Sequence, residues 1–371
     1  QAEDGIRDAQ ESRGLGDVYK RQVHLHMRYQ TTSKRVQLLK RAAKEYSWST
    51  EVIGKSSNGV DIFVFRNKPN KSVDICAWSL MHGNEPTGFD ALLYLMQSIT
   101  HQSWAICPII NPDGADLFQR FNSNGVDINR DARELNTLEG LSLSNWVISE
   151  VPKLALNLHD QRTCFYPKTG HTPASFSLLA PKGSRQHKTK SQLTAMIYCS
   201  WMVDKLKKDY VNSLAKFDDS FYPSAFGEYF QESNIPTITL ETGISLDDWS
   251  RKRVHLSLGK LLSTLDSEFE SSLSSLSFSS YENLPENAND AQDWICITLK
   301  GPVEIRLTET VKDGQYSCYW RVVGPGDLNR KYWLISEANP GLLELVPNQI
   351  ISNQLALALG GEPVSNLGLF D

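Results

Sequence analysis

Short, mostly apolar runs recur along this chain, and each ends abruptly in a turn or a reactive side chain. "SVDICAWSL", "WAICPIINP", "KLALNLHD" and "IPTITLETG" are such runs. Short apolar runs of this length bounded by turn residues read as buried strands. Residues 88–99 and 189–208 lie between them with apolar positions at helical spacing, and residues 33–46 place Val36, Leu39 and Ala43 on one helical stripe. Strands alternating with helices predict an α/β fold: a mixed, mostly parallel twisted sheet with helices on both faces. In such a sheet ligands collect where strands end, and His82, His159 and Glu241 sit at or just beyond such ends.

The 371 residues suffice for one large domain and a small module. Residues 1–26 lack an amphipathic period, and Asp17 to Gln22 resembles a translated library adapter, so this stretch is read as a non-native or disordered leader. Residues 27–270 are expected to form the large domain. "EVIGKSSNGVDIFVFRN" reads as a hairpin turning at Ser57-Asn58-Gly59. Residues 271–293 are rich in Ser, Asn and acids and are expected to form a linker. Residues 294–371 alternate in short runs and predict a small β-rich C-terminal module. The formal net charge of −5 points to neither nucleic acid nor membrane as a partner. Cys76, Cys107, Cys164, Cys199, Cys296 and Cys318 form no C-x-x-C pair and read as reduced thiols. With Met27 as the start, no signal peptide follows, and a cytoplasmic protein is expected.

"LMHGNEPTGFDALLYL" carries His82 and Glu85 three residues apart on a turn entering a helix. Residues so spaced project to one side, and an imidazole and a carboxylate there can close on one Zn²⁺. A catalytic zinc needs three protein ligands and an open position, and His159 in "LNLHD" stands at another strand end. "NPDG" after the "WAICPII" run reads as a turn. Arg120, Asn129 and Arg130 share the polar loop beyond it and suit an anionic group.

With these pieces in order, the chain resembles the zinc carboxypeptidase superfamily, the carboxypeptidase A-like metallopeptidases, and most of all a compact bacterial branch. "HGNE", "NPDG", "RFNSNGVDINR", "LNLHD" and "TLETG" carry the likeness, over roughly residues 32–262. The resemblance implies the family fold and one zinc per chain, held by His82, Glu85 and His159. It implies Glu241 as general base and proton donor and Arg120 as the group that stabilises the oxyanion. Asn129 and Arg130 would hold a substrate carboxylate, and Tyr222 would close over it. The family's "NRNF" is "NRDA" here, which puts the negative charge of Asp131 beside that carboxylate site. Asp160 and Gln161 follow the last ligand and are candidates for orienting it. Asp127 is read as shaping its loop or pairing with an arginine, Glu228 as structural, and His171, His187 and His255 as surface residues.

The leading expectation is a zinc metallocarboxypeptidase, a hydrolase that cleaves the C-terminal bond of short peptides. The alternatives are an amidohydrolase acting on acylated amino acids or murein peptides, and an inactive binding module that retains the fold. The substrate is thus a peptide or an acylated amino acid, and the oligomeric state stays open.

Overall fold

The computed structural model describes residues 30–351, apart from 99, 163–164, 171, 220–221, 246–250, 275–276, 289–290, 313–314, 330, 338–344, 346 and 349. The expected leader, residues 1–26, lies outside the described residues, as does the end of the β module.

The described residues open with helix α1 (Thr32–Glu45), capped by the Thr31 side chain. Strands β1 (Ser49–Lys55) and β2 (Asp61–Arg66) form the expected antiparallel hairpin, and Gly59 at its turn takes φ +82°, where a side chain would be strained. Next come β3 (Ile75–Trp78), α2 (Thr87–Met96), β4 (Trp104–Cys107), α3 (Pro112–Leu117), α4 (Leu138–Glu150), β5 (Leu154–Asp160), β6 (Tyr166–Pro167) and β7 (Phe176–Leu179). Then follow α5 (Lys190–Tyr210), β8 (Leu214–Lys216), α6 (Phe226–Glu232), β9 (Thr237–Thr242) and α7 (Lys252–Ser272).

An eight-stranded sheet organises these elements in the order β1-β2-β4-β3-β5-β9-β7-β8. Strands β4, β3, β5 and β9 are parallel neighbours, while β2 and β7 join antiparallel. The parallel strands are buried almost throughout, which is why β3 and β4 run apolar instead of alternating. One face packs Leu39, Leu92, Met202 and Leu258 from α1, α2, α5 and α7. The other packs Trp78, Trp146, Phe226 and Phe230 with α4 and α6. Helices therefore cover both faces, as expected. Among the described residues, Cys76, Cys107, Cys199 and Cys296 are free and buried.

Two local readings change. "NPDG" opens helix α3 instead of closing a loop: Asn111 is the N-cap and accepts from Gly114 N–H at 2.8 Å. Pro112 occupies the first turn, where its missing N–H costs nothing. His255, expected at the surface, is buried on α7.

The segment 271–293 carries the short helix α8 (Ser279–Glu282) and the two-residue strand β10 (Asn287–Ala288), which pairs with β6. Tyr281 is buried, and its hydroxyl accepts from Ala180 N–H at 2.9 Å. Aromatic burial and strand pairing thus hold part of this segment against the large sheet. Beyond it, β11 (Ala291–Thr298), β12 (Gly301–Lys312), β13 (Gln315–Pro325), β14 (Lys331–Glu337) and β15 (Ile350–Ile351) form a separate five-stranded sheet, with Trp294 and Trp320 packed edge to face in its core. Among the described residues, no helix is long and apolar enough to cross a membrane.

Candidate metal centre

The order of the sheet decides where a site can form. The chain builds β4 on one side of β3 and then β5 on the other. The chain leaves β3 toward β4 and leaves β5 toward the β9 side, so a crevice opens between the carboxyl ends of β3 and β5. His82 follows β3, and His159 lies in the last turn of pleat of β5. Glu241 is paired in register with His159 across the parallel β5–β9 ladder, so their side chains share one face of the sheet.

His82, Glu85 and His159 converge there, all buried, with one candidate ligand atom from each within 4.8 Å of the others. His82 Nδ1 lies 2.8 Å from Glu85 Oε1, and His159 Nδ1 lies 2.8 Å from Glu85 Oε2. The same nitrogen of each ring therefore faces one shared carboxylate. Two imidazoles and a carboxylate, gathered within the span of one tetrahedral ion, are a donor set that suits zinc.

The electrostatics follow from this crowding. Burial alone would raise the carboxyl of Glu85, but the two imidazoles beside it hold it well below the usual carboxylate range. Burial would likewise lower His82, yet Glu85 and Asp127 outweigh it and push the imidazole up to about 9. Burial keeps His159 below its ordinary value. His82 thus carries a proton that it must release before it can ligate a cation. Burial and the negative charge of Glu85 push Glu241 up to about 8, so this carboxyl takes up and releases protons near neutrality.

Arg120 reaches the rim of the cluster, with Nη1 3.3 Å from His82 Nδ1 and 3.6 Å from Glu85 Oε1. Its Nε and Nη2 donate to Asp127 Oδ2 at 3.0 and 2.8 Å. The arginine pairing expected of Asp127 is present. What the sequence reading missed is the other oxygen of Asp127, 3.1 Å from His82 Nε2. A carboxylate on the far nitrogen of a ligating histidine fixes its tautomer and its orientation. The spacing within "GVDINR" carries no sign of this, because His82 is 45 residues away.

Asn129 and Arg130 form a single 3₁₀ turn, Ile128–Arg130, capped by the Asp127 side chain. Asn129 Oδ1 accepts from Phe226 N–H at 3.2 Å, and Arg130 Nη1 donates to Asn129 O at 3.0 Å. Arg130 is half-buried; burial lowers its pKa, while the charges of Asp127, Glu228 and Glu241 oppose that. Asp131, expected to add negative charge beside these groups, is occupied elsewhere. Its carboxylate accepts from Asn136 N–H, Thr137 N–H and the Thr137 hydroxyl at 3.0, 2.7 and 2.6 Å. It therefore supports the start of α4. Tyr222 is held apart from the cluster: its hydroxyl donates to Glu232 Oε1 at 2.7 Å, and Glu232 also pairs with Arg133.

The C-terminal sheet touches the same edge. Glu309 of β12 pairs with Arg162, just past the end of β5, and the Arg162 guanidinium lies 5.2 Å over the Phe118 ring.

Residues 36–146 match the model of the family described as zinc carboxypeptidase. That span holds His82, Glu85, Arg120, Asn129 and Arg130, while His159 and Glu241 fall beyond it. A protein named "Probable carboxypeptidase 2" from Trichophyton verrucosum is 27% identical over 144 residues, covering 33% of this chain and 28% of the relative. The chain thus spans little more than a quarter of that relative's length. Among solved structures, a metallo-carboxypeptidase from Pseudomonas aeruginosa, in complex with (2-guanidinoethylmercapto)succinic acid, superposes with a TM-score of 0.53 at 16% identity, covering 67% of this chain and 71% of the other. A metallo-carboxypeptidase from Burkholderia cenocepacia gives a TM-score of 0.51 at 11% identity, covering 66% and 71%. These two likenesses are of fold.

Proposed function

Because the chain resembles the zinc carboxypeptidases, in sequence over residues 36–146 and in fold over about two thirds of its length, we propose that it is a zinc-dependent metallocarboxypeptidase that hydrolyses the C-terminal bond of short peptides. The observation that carries this reading is the buried convergence of His82, Glu85 and His159 with Glu241 on the neighbouring strand. These three side chains would hold one zinc ion per chain. When bound, zinc supplies Lewis acidity, polarising a carbonyl and lowering the pKa of water to about 7.

The remaining work falls to the protein's own groups. Glu241 sits beside the ligands without being one of them, and it takes the proton from the attacking water and passes it to the leaving nitrogen. Arg120, on the rim of the cluster, stabilises the negative charge that develops on the carbonyl oxygen. Asn129 and Arg130 anchor the terminal carboxylate and place the last peptide bond over the centre. The Asp131 carboxylate is engaged by Thr137 at the start of α4. Tyr222 closes over substrate only after its hydroxyl leaves Glu232. Residues 27–270 form the catalytic unit in this reading, and residues 294–371 are an appended β module.

The test is Glu241→Gln in zinc-loaded protein, assayed on peptides with free and with blocked C-termini. The variant is expected to retain metal and lose hydrolysis, and the parent to act on free termini. Parent-like turnover by Glu241→Gln would overturn the mechanism, and equal rates on blocked peptides would overturn the carboxypeptidase assignment.

A further inference from the structure

Helix α2 begins two residues after Glu85, yet it lacks a cap of its own. Its N-cap residue is Pro86, which makes no side-chain capping bond. A helix end buried without partners for its first N–H groups is costly, and Thr87 is itself buried. The missing acceptor arrives from a different strand. Asp160 Oδ2 accepts from Thr87 N–H at 3.2 Å and from the Thr87 hydroxyl at 2.9 Å.

The second oxygen of the same carboxylate faces the other way. Asp160 Oδ1 accepts from the Thr242 hydroxyl at 2.7 Å, and Thr242 directly follows Glu241. The Asp160 main-chain N–H donates to Glu85 Oε2 at 3.2 Å, and Asp160 itself follows His159. One buried side chain, next in sequence to His159, is therefore bonded to two other segments: to Thr87, two residues after Glu85, and to Thr242, the residue after Glu241. The positive end of α2 favours a carboxylate there, and Arg162 Nη1 lies 3.7 Å from Oδ2.

This linkage matters most for His159. His82 has Asp127 on its far nitrogen, whereas His159 Nε2 has no hydrogen-bond partner among the described residues. The ring of His159 is thus held by Glu85 and by its own backbone, and Asp160 ties that backbone to α2 and β9.

We propose that Asp160 is a positioning residue for the metal centre. By capping α2 from β5 and binding Thr242 on β9, it sets the distances among Glu85, His159 and Glu241. This inference rests on the metal-site reading above.

The experiment compares Asp160→Asn, Thr87→Val and Thr87→Ser with the parent. The amide of Asp160→Asn offers a donor where two acceptors are needed. Thr87→Val keeps shape and loses the hydroxyl, and Thr87→Ser keeps the hydroxyl. The readouts are zinc affinity by chelator competition, the visible absorption of the Co²⁺-loaded protein, and hydrogen exchange of the Thr87 amide in metal-free protein. Asp160→Asn is expected to lose roughly 10- to 100-fold in zinc affinity, with a shifted Co²⁺ spectrum and faster Thr87 exchange. Thr87→Val should lose affinity and Thr87→Ser should restore it. Parent-like affinity, spectrum and exchange in Asp160→Asn would overturn the proposal. If that variant does not fold, equal behaviour of Thr87→Val and Thr87→Ser would overturn it. A parent that binds neither metal would instead sink the metal-site reading, and the Thr87 exchange rates would still decide the role of Asp160.

Discussion

Replacing Gly83 by alanine should disturb the metal centre without touching a ligand. Gly83 lies between His82 and Glu85, where the turn after β3 presses against the first turn of α3. A Cβ built on Gly83 would stand 2.0 Å from Gly114 C, 2.2 Å from Ala115 N and 2.3 Å from Gly114 O. Carbon atoms pack without repulsion at about 3.5 Å, so one backbone must retreat by roughly 1.5 Å. Neither is free to do so. Asn111 caps α3 and also donates from Nδ2 to Met81 O at 3.2 Å, and its N–H donates to Leu80 O at 2.9 Å. Overpacking of this kind costs about 1–3 kcal/mol. The displacement passes directly to His82 and Glu85, and zinc affinity is expected to fall by about tenfold or more. The assay is denaturant unfolding of metal-free protein alongside zinc titration against a chelator. Gly170→Ala is the control, because its nearest neighbour would be 3.6 Å away, an ordinary contact. A Gly83→Ala protein with parent-like unfolding midpoint and zinc affinity would refute the reasoning.

Removing metal with a chelator should abolish hydrolysis, and added zinc should restore it; activity that persists in metal-free protein, verified by elemental analysis, would contradict the proposed function. Arg120→Ala should lower kcat by about 10²–10³, measured by steady-state kinetics on a free-terminus peptide, while metal content holds. Glu228 on α6 gives a pH signature: chiefly burial, with Asp219's carboxyl beside it, pushes its pKa from 4.5 up to about 7. An acid raised in the folded state contributes stability that is present below about pH 4.5 and lost as pH rises through 7. Glu228→Gln should therefore unfold at higher denaturant than the parent at pH 8, by on the order of 3 kcal/mol, with little difference at pH 5. A gap that did not shrink on acidification would disprove that assignment.

Local chemistry made much of this protein legible from its residues alone. Apolar runs broken by turns announce buried strands, and a spacing of three residues, such as His82 to Glu85, puts both side chains on one turn. The Asn-Pro pair was readable as punctuation, but whether it closed a loop or opened α3 depended on the space beneath Gly83. Distant partnerships were not legible. Asp127 meets His82 across 45 residues, Asp160 meets Thr87 across 73 and Thr242 across 82. Those meetings depend on the order in which strands enter the sheet, which the local sequence around each aspartate does not encode. Asp131 shows the converse, since its charge stands beside the site in the sequence and holds Thr137, the cap of α4, in the fold. The residue types that can do the chemistry were thus determined by sequence. Tertiary structure decided which carboxylates were left for it, because a buried carboxylate binds whichever donors the packing brings within reach.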